Sequence, residues 1–161
     1  MNKYRPHLLV LPEDDADREL ANGFVLELNS RNIQVLPPVG GWKKVLDDFD
    51  KKRVSGMRNY PLRRIVLLMD FDDQINRLSE IESQIPDDLK ERVYVLGVLS
   101  EPEKLSSDIN KSFEEIGEAL ANDCFNNTNK LWGHDLLKHN KANLERICLL
   151  KDELFRETDE Q

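Results

Sequence analysis

The sequence predicts an α/β domain: a mainly parallel four-stranded sheet with helices on both faces, followed by a C-terminal helical pair. Three observations carry this expectation. Runs of consecutive apolar residues, Leu8-Leu9-Val10-Leu11, Ile65-Val66-Leu67-Leu68-Met69 and Val93-Tyr94-Val95-Leu96, read as strands buried on both faces. Apolar stripes at helical spacing separate them. The resulting order, β-α-β-α-β-α-β, requires right-handed crossovers, which make the strands parallel.

The first strand is expected over residues 7–12. Leu20, Phe24, Val25 and Leu28 then mark the core face of a helix. Asp14, Asp15 and Asp17 lie near its start, where carboxylates suit the helix dipole, and Asp14 or Asp15 serves as an N-cap. A short second strand over residues 33–36 is stopped by Pro37-Pro38 and Gly40-Gly41. Val45, Leu46 and Phe49 predict a short amphipathic helix, and a basic segment broken by Ser55-Gly56 and Pro61 leads into the third strand. Ile75, Leu78, Ile81 and Ile85 repeat at helical spacing, with Asp73 expected to cap that helix. The fourth strand is expected over residues 92–99, closed by Ser100-Glu101-Pro102-Glu103.

Beyond it, Ile109, Phe113, Ile116 and Leu120 form one helical stripe, and Leu144, Ile147, Cys148, Leu150, Leu154 and Phe155 another. The organisation is an α/β core over residues 1–105, with residues 106–161 as helices packed on the same domain. The Glu-rich end, residues 157–161, is expected to fray. Trp132-Gly133-His134-Asp135 and His139 read as a helix start with Trp132 packed on the domain; Asp135 and His139, four apart, would be neighbours on one helix.

The 161 residues suffice for one domain with a real core, and no apolar run is long enough to span a membrane. Cys124 and Cys148 are too few for a disulfide framework. They read as reduced core thiols of a cytoplasmic protein. The formal charge of −8 disfavours the whole surface as a nucleic-acid binder. Against that average, residues 51–64 carry Lys51, Lys52, Arg53, Arg58, Arg63 and Arg64 with no acid. Two readings of this segment stay open: a solvated loop before a strand, or an arm in which Lys51, Lys52, Arg53 and Arg58 hold a nucleic-acid backbone.

The chemistry is expected at the strand exits. Asp70-Phe71-Asp72-Asp73 closes the third strand, Glu13-Asp14-Asp15 follows the first, and Glu101 and Glu103 follow the fourth. In open α/β sheets the carboxyl ends of the strands line the ligand crevice. Hard oxygen ligands there suit Mg²⁺, which can polarise a phosphoryl group. On an extended segment Asp70 and Asp72 would point the same way, with Phe71 turned to the core.

A Glu just after the first strand and Asp-x-Asp after the third, in alternating βα order, resembles the TOPRIM domain of topoisomerases, primases and related nucleases. The resemblance spans roughly residues 8–105. It implies Mg²⁺-dependent phosphodiester chemistry on nucleic acid, with Glu13 as the catalytic residue, Asp70 and Asp72 as metal ligands, and Glu101 or Glu103 as an accessory acid. Asp14 stands where that family usually carries glycine. The same opening, Val10-Leu11-Pro12-Glu13-Asp14-Asp15, also resembles a response-regulator receiver domain. That likeness gives Asp14, Asp15 and Asp70 the metal and phosphate roles, with Glu101-Pro102 where receivers carry Lys-Pro. A DNA-binding partner protein, or service as a non-catalytic interaction module, completes the expectations.

Overall fold

A computed structural model describes residues 3–155, so the fraying expected at residues 157–161 falls outside the described residues. Strands β1 (His7–Pro12), β2 (Ile33–Val35), β3 (Arg63–Leu68) and β4 (Val93–Leu96) pair in the order β2-β1-β3-β4. All three pairings are parallel, with Val10 beside Val35 and Val66, and Leu67 beside Val95. The fold class is the one the apolar runs predict. Every residue of β1 is buried, because helices cover both faces of the sheet.

One face packs Leu9, Leu11, Ile65, Leu67 and Val95 against Val45 of α2 (Trp42–Asp48), Met57 of α3 (Val54–Asn59) and Ile81 of α4 (Asn76–Ser83). The opposite face packs Leu8, Val10, Val66, Leu68 and Leu96 against Ala21 of α1 (Asp15–Leu28) and Ile147 of α7 (Lys141–Cys148). Outside α1 lies α6 (Phe113–Asn126), and the two helices meet backbone to backbone. A Cβ on Gly23 would lie 2.1 Å from the Glu114 carbonyl oxygen, and one on Gly117 would lie 2.0 Å from that of Leu20. Glycine is required in mid-helix here by contact, against its poor helix propensity.

The C-terminal region closes the open edge of β4. The Asn140 side-chain amide donates to the Gly97 carbonyl (2.9 Å) and accepts from the Gly97 N–H (3.1 Å), and Asn143 Nδ2 donates to the Val95 carbonyl (2.9 Å). Side chains thus supply hydrogen bonds that a fifth strand would otherwise make.

Several local expectations are corrected. The stripe from Ile109 to Leu120 is two helices, α5 (Pro102–Ile109) and α6, because Asn110 turns left-handed (φ 53°) and Ser112 with Glu115 opens α6 as a capping box. Asp73 does not cap α4. It is itself left-handed (φ 61°), and Ile75 precedes the helix without a side-chain bond. Asp14 is the N-cap of α1, accepting from the Asp17 N–H at 3.0 Å.

Residues 51–64 are not a loop. They finish a π-helical turn (Phe49–Arg53), form α3 and begin β3. Asp135 pairs with Lys138 (3.1 Å).

Cys124 and Cys148 are not free thiols. They form a disulfide joining α6 to α7, with Cα atoms 5.9 Å apart. Two cysteines cannot make a framework, but one pair needs only proximity, and the turn around buried Trp132 brings the two helices together. The thiol argument for a cytoplasmic location is thereby removed. Among the described residues no helix is long and apolar enough to cross a membrane.

Candidate metal centre

The exits of β1 and β3 lie side by side, since Pro12 pairs with Leu68. The chain after each strand therefore delivers its carboxylates to one place. Glu13, Asp14, Asp17 and Asp70 each bring a carboxylate oxygen to within 4.8 Å of the other three. Glu13 is the first residue past β1, and its N–H donates to the Leu68 carbonyl (2.8 Å). Asp14 caps α1, and Asp17 points inward one turn later. Asp70 follows β3 by two residues. Asp17 and Asp70 are buried, while Glu13 and Asp14 are half-buried and form the open side.

Both oxygens of Asp17, Oδ1 of Asp70 and Oε1 of Glu13 are buried without a hydrogen-bond donor from the rest of the described residues. Burial, then the charges of Asp70 and Asp14, pushes Asp17 up to about 11. Burial chiefly lifts Asp70 to about 8, opposed by a hydrogen bond from Asp17 and aided by Glu13, Asp14 and Glu103. Glu13 is raised by burial and then by the charge of Asp14. The group therefore relieves its repulsion by keeping a proton on Asp17, which donates to Asp70.

The donor set fits a hard divalent cation. Neighbouring and opposed oxygens of a six-coordinate Mg²⁺ shell lie about 3 and 4 Å apart, within the spacing of this cluster. Glu13, Asp14 and Asp70 would hold it from the open side, with protonated Asp17 behind Asp70. Buried carboxylate oxygens without donors from outside the cluster are groups that a bound cation would satisfy.

Asp72 takes a different place. Its backbone turns left-handed (φ 48°), which breaks the strand alternation. Its carboxylate is solvent-exposed and pairs with Arg77 Nη1 at 2.8 Å. The same nitrogen donates to the Asp70 carbonyl (3.1 Å), and the guanidinium lies over the Trp42 ring at 4.6 Å. Asp72 and Arg77 thus fix the turn that presents Asp70. Phe71 is buried, as the alternation requires. Glu101 precedes α5 and Glu103 lies in its first turn; both are exposed, and Glu103 reaches Asp70 only through its charge. Asp15, also exposed, is outside the cluster.

The basic residues lie elsewhere and are paired with acids. Lys51 pairs with Asp47 (2.9 Å), Lys52 and Arg53 with Asp48 (3.5 and 3.1 Å), and Arg58 with Asp88 through two 3.1 Å bonds. Arg63 and Arg64 stand beside His7 and Leu8, at the amino end of the sheet.

Sequence reasoning missed Asp17 as a member of the site. The available signal was its spacing: three residues after the capping Asp14, it lies on the same side of the first helical turn. No family model, no curated protein and no solved structure matches the chain.

Proposed function

We propose that this protein binds Mg²⁺ at Glu13, Asp14 and Asp70 and carries out metal-dependent phosphodiester chemistry on nucleic acid, in the manner of a TOPRIM-like nuclease or nuclease subunit. The observation that carries the reading is the convergence of these carboxylates, with buried and unsatisfied oxygens, at the carboxyl ends of adjacent parallel strands. A bound divalent cation supplies polarisation of a phosphoryl oxygen and a site for the nucleophile. The Glu13 carboxylate would take the proton from the attacking water or hydroxyl as the new P–O bond forms, with the departing ester oxygen protonated by solvent. Asp70 and Asp14 would hold the ion, and Asp17 would keep its proton against Asp70 to set that carboxylate's orientation. The proposed compartment is the cytoplasm.

The test is calorimetric titration of Mg²⁺ and Mn²⁺, paired with cleavage of labelled single- and double-stranded oligonucleotides. Saturable binding lost in Asp70→Asn, with cleavage lost in Glu13→Gln, is the expected result. An absence of binding at millimolar metal would sink the proposal.

A receiver-like signalling role is the second reading, favoured by one observation: Asp72 leaves the cluster for Arg77. A single Asp then remains at the β3 exit opposite Glu13 and Asp14. Labelling of Asp70 by acetyl phosphate, in a protein that binds Mg²⁺ but cleaves nothing, would select it.

A further inference from the structure

At the end of the sheet opposite the acidic cluster, three arginines converge on one groove of about 540 Å³. Arg64 lies in β3, and Arg92 closes the 3-10 helical turn (Asp87–Arg92) that leads into β4. Each lies one residue upstream of the paired Ile65 and Val93, so they stand next to each other. Period-two alternation puts Arg64 on the sheet face that carries Val66, and Arg92 lines the same groove beside Tyr94. Like charges held side by side repel one another. Arg146 reaches the same groove from α7, its guanidinium 4.6 Å from the Tyr94 ring centre.

None of the three is paired with a carboxylate among the described residues. Arg92 Nη1 donates to the Tyr60 and Arg63 carbonyls (3.1 and 2.9 Å). Arg146 donates to Asn143 Oδ1 (2.8 Å) and to the Lys90 carbonyl (3.0 Å). These neutral acceptors hold the two guanidinium planes in place while leaving their charge intact, with N–H donors to spare. Arg64 makes no hydrogen bond among the described residues and keeps all five donors. Glu91 and Glu153 also line the groove, and neither forms an ion pair with an arginine among the described residues. After burial, the charge of Arg64 acts on Arg92, opposed by Asp88, and those of Arg64 and Arg146 act on the Tyr94 hydroxyl, opposed by Glu153. Two anchored guanidinium forks and a third with all its donors unused, around an open groove, match the planar, multidentate recognition of a phosphate.

We propose that Arg64, Arg92 and Arg146 form a binding site for a phosphate monoester dianion. It lies about 20 Å from Asp70, at six strand residues of about 3.3 Å each. The site is independent of the metal-centre reading. Its natural source is either a small phosphorylated metabolite or the 5′-phosphate of a nucleic-acid end, and both present the same dianion.

The test is titration of inorganic phosphate into the full chain in EDTA, at constant ionic strength maintained with chloride. EDTA removes any route through a metal, and Asp70→Asn should bind phosphate as the parent does. The expected result is one saturable site, weakened about tenfold or more by Arg64→Gln, the scale of a lost charge-assisted contact. Arg64→Lys should recover only part of the affinity, because it restores the charge without the fork. Arg64→Gln should melt no lower than the parent, since it removes a like-charge neighbour. Phosphate binding unchanged in Arg64→Gln, or reproduced by chloride alone, would overturn the assignment. Oligothymidylates with a 5′-phosphate or a 5′-hydroxyl, compared with adenosine monophosphate, separate the two sources.

Discussion

Asp17, in the first turn of α1, and Asp70, just beyond β3, bring carboxylate oxygens within 4.8 Å of each other while only 0% and 5% of their surfaces are exposed. In the metal-free protein burial and the charges of neighbouring carboxylates favour the protonated form of both. Their values of about 11 and about 8 lie above the ordinary carboxyl range. The native state therefore keeps protons that the unfolded chain releases above about pH 4. Stability from these groups is fully present below that pH and is lost as pH rises, Asp70 levelling off only above about 8. In EDTA, the unfolding free energy from urea titration should fall as pH rises from 4.5 to 8, by about 1.4 kcal/mol per pH unit for each proton the native state retains. Asp17→Asn should flatten the slope and melt higher than the parent at pH 8. A flat parent profile would show that the acids are not held protonated.

Divalent cation should reverse this cost. At pH 7.5 and a concentration of about a hundred times Kd, Mg²⁺ should stabilise the protein by about 2.7 kcal/mol, read as a rise in Tm. Asp70→Asn should remove the rise. Calorimetric heats should change with the ionisation enthalpy of the buffer, because binding displaces protons.

Gly117→Ala tests the contact between α1 and α6. Helix propensity alone favours alanine by about 1 kcal/mol. The added Cβ would meet the Leu20 carbonyl oxygen at 2.0 Å, so the helices must separate. A net loss of about 2–4 kcal/mol in urea unfolding is expected. Any gain in stability would contradict the close approach.

Asp123 behaves in the opposite sense to Asp17. Burial raises it, but hydrogen bonds from the Leu131, Trp132 and Lys130 N–H groups and from Thr128 Oγ1 more than compensate, leaving it below the ordinary value. Its contribution is present above about pH 4 and lost in acid. Asp123→Ala strands these donors and should cost about 2–4 kcal/mol at pH 7, with the difference from the parent shrinking as pH falls towards 3. Near-ultraviolet circular dichroism of the buried Trp132 reports the same loss of order.

Reduction of Cys124–Cys148 should destabilise the chain by about 3 kcal/mol, the loop-closure contribution for a separation of 24 residues. Thermal melts with and without dithiothreitol measure this, and mass shifts on thiol alkylation count the free cysteines. A Cys124→Ser protein that melts with the parent, and ignores reductant, would count against the pairing.

Most of the architecture is legible along the chain because strands buried on both faces must be continuously apolar, and 65–69 and 93–96 are. The strand exits follow directly, and with them Glu13 and Asp70 as the acids that face the crevice. Both belong to the cluster. Some departures come from left-handed turns at Asp72, Asp73 and Asn110, and the rest from side chains whose partners lie elsewhere in the chain. The +6 charge of residues 51–64 looks unopposed until Asp47 and Asp48, one helical turn upstream, and Asp88, from the turn before β4, are placed beside it. Cys124 and Cys148 lie on separate helices, and nothing local says that those helices touch.

What the sequence determined by itself is the parallel sheet, its helical cover and the delivery of acids to one edge, since periodicity and strand polarity are local properties. Which acids form the centre was decided only in three dimensions. Asp72 depended on a left-handed turn and an Arg77 that draws it into solvent. Asp17 depended on how α1 packs against the β3 exit. A carboxylate's environment is the sum of its burial and its neighbours' charges, and both are set by tertiary contact.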